Sequence, residues 1–262
     1  MKLSFIGAGR LATQLAQALH DNGHTITLVY SRTMGAAQAL AGKVGAVATD
    51  DIAVVGAHLK SSGAEAALMA VKDDVLPSLA ARLAEAGGTS CPVFHTAGSV
   101  SIDALADLPR HGVIYPMQTF SKERRVDFAD VPVFIEASDD ESLALALALA
   151  LSVSRHVSVM DSERRRQLHL AAVFACNFAN HCYTLAADIL ERAGLDFSVM
   201  LPLVRETTEK LSAMHPREAQ TGPAVRYDQT VIGRQSAMLA DMELTQKIYE
   251  LMSESIHQHS HK

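Results

Sequence analysis

The chain has 262 residues, enough for one large domain or two smaller ones, and its 48% hydrophobic and 20% charged residues exclude a disordered or fibrous protein. A formal net charge of −6, from 23 basic and 29 acidic residues, excludes a general attraction for nucleic acid or an anionic membrane. Aromatic residues make up only 5%, with no Trp, so alanine and leucine must supply much of the core and helices are expected to pack closely.

Lys2 to Ile6 reads as a short buried strand that runs into Gly7-Ala8-Gly9-Arg10-Leu11-Ala12. A helix follows, with Leu11, Leu15, Ala18 and Leu19 on one face and Asn22-Gly23 as its stop. Thr25 to Tyr30 is a second strand, Ser31-Arg32-Thr33 closes it, and Met34 to Lys43 is a helix, which makes a βαβ unit. Further on, Ala66 to Val71 is expected as a strand, Asp74 to Ala86 as a helix, Pro92 to Phe94 as a strand and Ser101 to Leu108 as a helix. Val113-Ile114 and Val133 to Ile135 read as short strands. Ser138 to Leu151 alternates Leu and Ala, a strand-like period, but both are strong helix formers and Ser138 stands at capping-box distance from Glu141, so a helix is expected. Arg155 to Val159 is the last strand. Strands alternating with helices imply a largely parallel, doubly wound sheet covered on both faces.

From about Asp161 the texture changes. Ser162 to Ala193 contains neither proline nor glycine and reads as one long helix stopped by Gly194. Helices are expected at Ser198 to Met214, Thr230 to Leu239 and Ala240 to Ile256, around the Pro- and Gly-bearing stretch His215 to Asp228. The expected organisation is an α/β domain over 1–160 and an all-helical domain over 161–262.

No segment long enough to span a membrane is expected, since the apolar run Leu143 to Leu151 is far short of the roughly 20 residues required. The N-terminus enters a strand directly, so no secretory signal is expected either. Cys91, Cys176 and Cys182 form no CxxC pair, which fits a reducing cytoplasmic setting and argues against a disulfide framework or a structural zinc site. His257, His259 and His261 have metal-like spacing but lie at a polar terminus, where fraying is the simpler expectation.

The motif Gly7-x-Gly9-x-x-Ala12 stands after a strand, before a helix and within a βαβ unit, the setting in which it binds a dinucleotide pyrophosphate. The first glycine permits the tight turn, the second lets phosphate approach the backbone, and the third small residue lets helix and strand pack closely. The end of the second strand has no acid for a ribose 2′-hydroxyl. It has Ser31, Arg32 and Thr33, suited to a 2′-phosphate, which points to NADP rather than NAD. Lys72-Asp73 and the run His95 to Ser99 sit at other strand ends, where ligands lie in open α/β sheets. His95 could protonate a substrate heteroatom, or it could merely cap a loop or touch the cofactor ribose. On the long helix, His169, Val173, Asn177 and Asn180 are spaced to share a face. Asparagine is unfavourable inside helices, so Asn177 needs a partner, either a ligand or a polar core contact. Thr221 to Asp228 is a Gly-Pro loop in which Arg226 and Asp228 could clamp a polar group or simply brace each other.

The segments GAGRLA (7–12), SRT (31–33), AVKDD (70–74), HTAGS (95–99), YPMQTFSK (115–122), HLAAVFACNFANH (169–181) and TGPAVRYD (221–228) resemble the Rossmann-like, domain-of-unknown-function 2520 proteins, labelled NADP oxidoreductases, coenzyme F420-dependent. The resemblance implies a Rossmann domain followed by a helical domain like those of 6-phosphogluconate dehydrogenase and pyrroline-5-carboxylate reductase, and a homodimer formed through that domain. It implies cofactor contacts from Gly7, Ala8, Gly9, Arg10, Leu11, Ala12, Ser31, Arg32, Thr33, Val71, Lys72, Asp73, Thr96 and Gly98. Catalysis is expected from His95, Asn177 and His169, and substrate contacts from Gln118, Asn180, Thr221, Arg226 and Asp228. Hydroxyacid dehydrogenases of the wider group carry Lys-x-x-x-Asn on the long helix; if Asn177 matches their asparagine, Val173 stands where their acid/base lysine would be. The expected activity is NADP-dependent hydride transfer to or from a small C=O or C=N substrate between the domains. The alternatives are an NADP-binding sensor without turnover and an imine reductase like pyrroline-5-carboxylate reductase.

Overall fold

The computed structural model describes residues 1–121 and 124–260. Lys122 of the segment 115–122 and His261 of the C-terminal histidine series lie outside the described residues. The chain forms two compact units, Met1–Cys176 and Asn177–Lys262.

The first unit opens with β1 (Lys2–Ile6), α1 (Arg10–Asp21), β2 (Thr25–Tyr30), α2 (Met34–Val44), β3 (Val47–Thr49) and α3 (Ile52–Ser61). It continues with β4 (Ala66–Met69), α4 (Leu76–Glu85), β5 (Val93–His95), β6 (His111–Pro116), β7 (Val133–Ala137), α5 (Asp140–Leu151) and β8 (Val157–Val159). The eight strands form one sheet in the order β3-β2-β1-β4-β5-β6-β7-β8. All pairs are parallel except β6 with β7. Among the described residues of the β6–β7 connection, the regular structure is a short 3-10 turn, Phe128–Asp130. The described residues form no crossover helix there, and the chain returns antiparallel.

Strand side chains alternate between two cores. Leu3, Phe5, Val29, Leu68 and Phe94 pack with α1, α2 and α5 on one face. Ile6, Leu28, Tyr30, Met69 and Val93 pack with α3 and α4 on the other. Both faces are thus covered, as a parallel sheet requires. The sequence reading omitted β3 and α3. The strand is only three residues long, and Gly56 in α3 resembles a helix breaker. Its real reason is packing: a Cβ there would lie 3.0 Å from the Ala86 carbonyl oxygen beyond α4.

Two further expectations are corrected. The cap of α5 is Asp139, whose Oδ1 accepts from Ser142 N at 2.8 Å, in place of the expected Ser138 with Glu141; a carboxylate is the stronger acceptor at a positive helix end. Ser101 to Leu108 forms only a 3-10 turn over Ile102–Leu105.

The long helix comprises α6 (Ser162–Ala172), a π-helical turn Val173–Phe178 and α7 (Ala179–Arg192). The texture changes where the sheet ends, near residue 160, but the first unit continues to Cys176. Arg165 of α6 explains the difference: it is fully buried. Its guanidinium donates to Glu136 Oε2 of β7 at 2.5 Å, to the Val100 carbonyl at 2.7 Å and to Ser162 Oγ at 3.0 Å. The second unit is helical: α7, then α8 (Leu201–Lys210), α9 (Pro216–Ala219), α10 (Gln229–Ala237) and α11 (Glu243–Ser260). Among the described residues, no helix is long and apolar enough to cross a membrane.

Candidate active site

The strand order reverses direction at β1, which lies between β2 and β4. Beyond the carboxyl ends of these strands the connections part, and open α/β sheets hold their ligands in such a crevice. A cavity of about 640 Å³ lies there. Gly7 through Leu11 and Tyr30 through Thr33 line one part, with Ala70 through Asp73 beside them. Thr96 through Gly98, Tyr115, Pro116, Gln118 and His169 line the remainder, together with Arg82 of α4.

The β1–α1 turn is built for close approach. Gly7 has φ +123°, and a Cβ on it would lie 2.2 Å from the Ala70 carbonyl oxygen, so only glycine fits. A Cβ at Gly9 would meet nothing within 4 Å and would project into the space over the helix end. Gly9 caps α1 and Thr33 caps α2 without any side-chain hydrogen bond, and neither helix has an acid in its first turn. By contrast, α3, α5 and α6 are capped by the carboxylates of Asp51, Asp139 and Asp161. The two helix ends at the cavity therefore keep their amide donors and positive ends open to an anion. Ala12 does not line the cavity. It is fully buried in the core, consistent with the packing role of the third small residue.

His95 is corrected. It is fully buried and does not line the cavity. Its Nδ1 accepts from Ala97 N at 3.2 Å, and Nε2–H donates to the Ser101 carbonyl at 3.3 Å. Burial, reinforced by the charge of Arg165, lowers its pKa to about 4. Its two hydrogen bonds close the loop after β5 and hold the ring away from the cavity. Of the alternatives open in the sequence, the loop-capping one matches this geometry.

His169 does reach the cavity. Its Nδ1 lies 3.1 Å from the Tyr115 hydroxyl, and the rings meet edge to face with centroids 6.0 Å apart. Gly98 makes room for the pair: a Cβ there would lie 2.5 Å from His169 Nδ1 and 2.7 Å from Tyr115 Cζ. Burial raises the Tyr115 pKa, Arg165 opposes this, and Cys176 and Asp73 add to it. Tyr115 escaped the sequence reading because an aromatic residue at a strand end looks like core. Asp73 accepts a hydrogen bond from the Ser99 hydroxyl, tying the β4 and β5 loops together.

The remaining expected residues belong to the second unit. Asn177 and Asn180 are exposed. Asn177 lies in the π-helical turn Val173–Phe178. Hydrogen bonds there span i to i+5, so the regular count that put His169 and Asn177 on one face does not apply. Thr221 and Arg226 are exposed, and Asp228 caps α10 by accepting from Val231 N at 3.1 Å. Tyr227 between them has φ +54° and stacks on His257, with centroids 4.2 Å apart. His259 Nδ1 is bonded to the Ser255 carbonyl at 2.8 Å.

Comparison with known proteins places this geometry in context. Residues 2–90 match the family model "NADP oxidoreductase coenzyme F420-dependent", and residues 131–256 match "Domain of unknown function (DUF2520)". A "putative NADP oxidoreductase" from Bacteroides fragilis is 47% identical, covers 98% of each chain and superposes with a TM-score of 0.91. A protein from Thermotoga maritima is 21% identical over 99% of this chain and 100% of its own, with a TM-score of 0.81. An imine reductase from Streptomyces aurantiacus shares the fold at 15% identity, covering 98% of this chain and 94% of its own, with a TM-score of 0.69. No curated protein matches the chain.

Proposed function

Because the chain belongs to the family that joins an NADP oxidoreductase segment to a domain of unknown function 2520 segment, we propose that it is an NADP(H)-dependent oxidoreductase acting on a small C=O or C=N compound. The observation that carries the reading is the pair of uncapped, acid-free helix N-termini on one cavity, with Gly7 and Gly9 at the first and Ser31, Arg32 and Thr33 at the second. The α1 end, with Ala8 to Leu11, holds the pyrophosphate. The α2 end, with Arg32, holds a 2′-phosphate, which no acid at the end of β2 repels. Val71, Lys72, Asp73, Thr96 and Gly98 flank the cofactor, and Gln118 lies at the substrate end. A bound nicotinamide supplies or accepts a hydride.

Titration with NADPH and NADH tests the assignment. NADPH binds more tightly, and Arg32→Ala weakens it roughly 10- to 100-fold, the worth of a lost charge-assisted contact, while NADH binding stays the same. Equal affinities in the parent chain would reject NADP as the cofactor.

The reading includes a homodimer formed through the helical unit. The buried apolar side chains from Asn177 onward are Leu190, Ala224 and Leu239 among the described residues, whereas Met238 and Leu244 are 76% and 72% exposed and Leu203 and Leu251 are also exposed. So much uncovered apolar surface supports the reading of an association face. Sedimentation at micromolar concentration should give twice the chain mass, and Met238→Glu with Leu244→Glu should shift it to one. A parent chain that sediments as a monomer would refute the dimer.

A further inference from the structure

We propose that Tyr115 is the proton donor of this site and that His169 is its proton source, an inference that rests on the oxidoreductase reading above. A tyrosine buried to this degree needs a hydrogen-bond partner for its hydroxyl, and a backbone carbonyl would satisfy it for structure alone. Here the partner is the titratable ring of His169, at 3.1 Å, and both side chains line the cavity. His95, the last residue of the neighbouring strand β5, shows the purely structural arrangement: both nitrogens are taken by backbone and the ring lies off the cavity. Tyr115 stands near the carboxyl end of β6, packed against Phe134 with centroids 6.5 Å apart, so its ring direction is fixed. His169 is partly exposed and can exchange protons with water. Gly98, whose Cβ would strike both rings, keeps the pair together.

In the reducing direction the proton path closes as follows. The electrophilic carbon gains the hydride, and the C=O or C=N π-bond electrons move to the heteroatom. The Tyr115 O–H bond breaks and its proton goes to that heteroatom. The tyrosinate then takes the Nδ1 proton of His169, and the imidazole recovers a proton from solvent. The charged and titratable groups around Tyr115 are His169 and Arg165 on α6, Cys176 beyond it and Asp73 after β4. Arg165 favours the transient tyrosinate; Asp73 and Cys176 oppose it.

The test uses the full chain, with NADPH and a panel of simple aldehydes, ketones and cyclic imines. NADPH binding, read from its own fluorescence, is measured first; its absence would sink the cofactor reading and this inference with it. Given binding, Tyr115→Phe leaves NADPH affinity unchanged and lowers kcat about 10²- to 10⁴-fold, the range of general acid catalysis. In the NADPH-free protein, tyrosinate absorbance shows one ionisation above the ordinary tyrosine range that Tyr115→Phe removes. His169→Phe lowers kcat less and shifts the basic limb of its pH profile, which a merely structural residue would leave in place. Parental turnover by Tyr115→Phe, an unaltered pH profile in His169→Phe, or no turnover of the panel by a parent chain that binds NADPH would each overturn the proposal.

Discussion

The Arg165→Met variant should unfold with a free energy about 3 to 5 kcal/mol below the parent chain, the cost of leaving one member of a buried ion pair without its partner. Arg165 has no exposed surface, and its salt bridge reaches Glu136, whose side chain is 18% exposed. Its Nη2 donates to the Val100 carbonyl and Ser162 Oγ, while Nε is buried without a partner. Removal therefore strands a carboxylate and orphans a carbonyl in the same step. Typical domains are stable by only 5 to 15 kcal/mol, so the loss is a large fraction of the total. Glu136 keeps the amide and hydroxyl of Ser162 as donors, at 3.1 and 2.7 Å, which limits the damage. The double variant Arg165→Met with Glu136→Gln should recover part of the loss, since no charge is then buried while the amide oxygen still accepts from Ser162. Arg165→Lys should fall between, because a single ammonium cannot reproduce a planar fork spread over three acceptors. Urea unfolding measures all three. A change below about 1 kcal/mol for Arg165→Met would mean that the network does not anchor α6, since surface pairs have that value.

The same residue shows where sequence reading stops. Ser162-Glu163-Arg164-Arg165-Arg166 looks like a solvated helix face, and nothing local marks the middle arginine as the buried one. The nucleotide half is legible because its signals are local: two glycines and an alanine at fixed spacing, a strand before and a helix after, and a single arginine between Ser31 and Thr33 at the end of β2. The doubly wound sheet followed from the alternation of elements. Tyr115 and His169 are 54 residues apart in sequence, and only the fold joins them. Gly98 is expected as a cofactor contact, yet its tightest constraint comes from those two rings. The π-helical turn left no mark in a run of ordinary helix formers, and it upset the face assigned to Asn177.

His95 carries the second large expected effect, and its sign follows from its surroundings. Burial lowers its folded pKa from 6.5 to about 4. The unfolded chain therefore binds a proton between these values that the folded chain does not. Stability rises with pH wherever the unfolded state holds more protons. The contribution of His95 is thus present in full above pH 6.5 and is lost as pH falls toward about 4. A gap of this size corresponds to about 3 kcal/mol. His24 and His58, whose pKa values burial also lowers, add to the slope with the same sign. The lowered carboxylates of Asp139, Asp196 and Asp241 act below their ordinary value of 3.8 and so fall beneath this window. Comparing His95→Phe with the parent isolates one group. At pH 7 the variant is the less stable, because the Ala97 amide and Ser101 carbonyl lose their partner. On acidification the parent loses its His95 contribution and the variant has none to lose, so the two stability curves converge toward pH 4. Parallel curves across that interval would show that His95 is not held neutral in the folded chain, and would restore it as a candidate proton carrier.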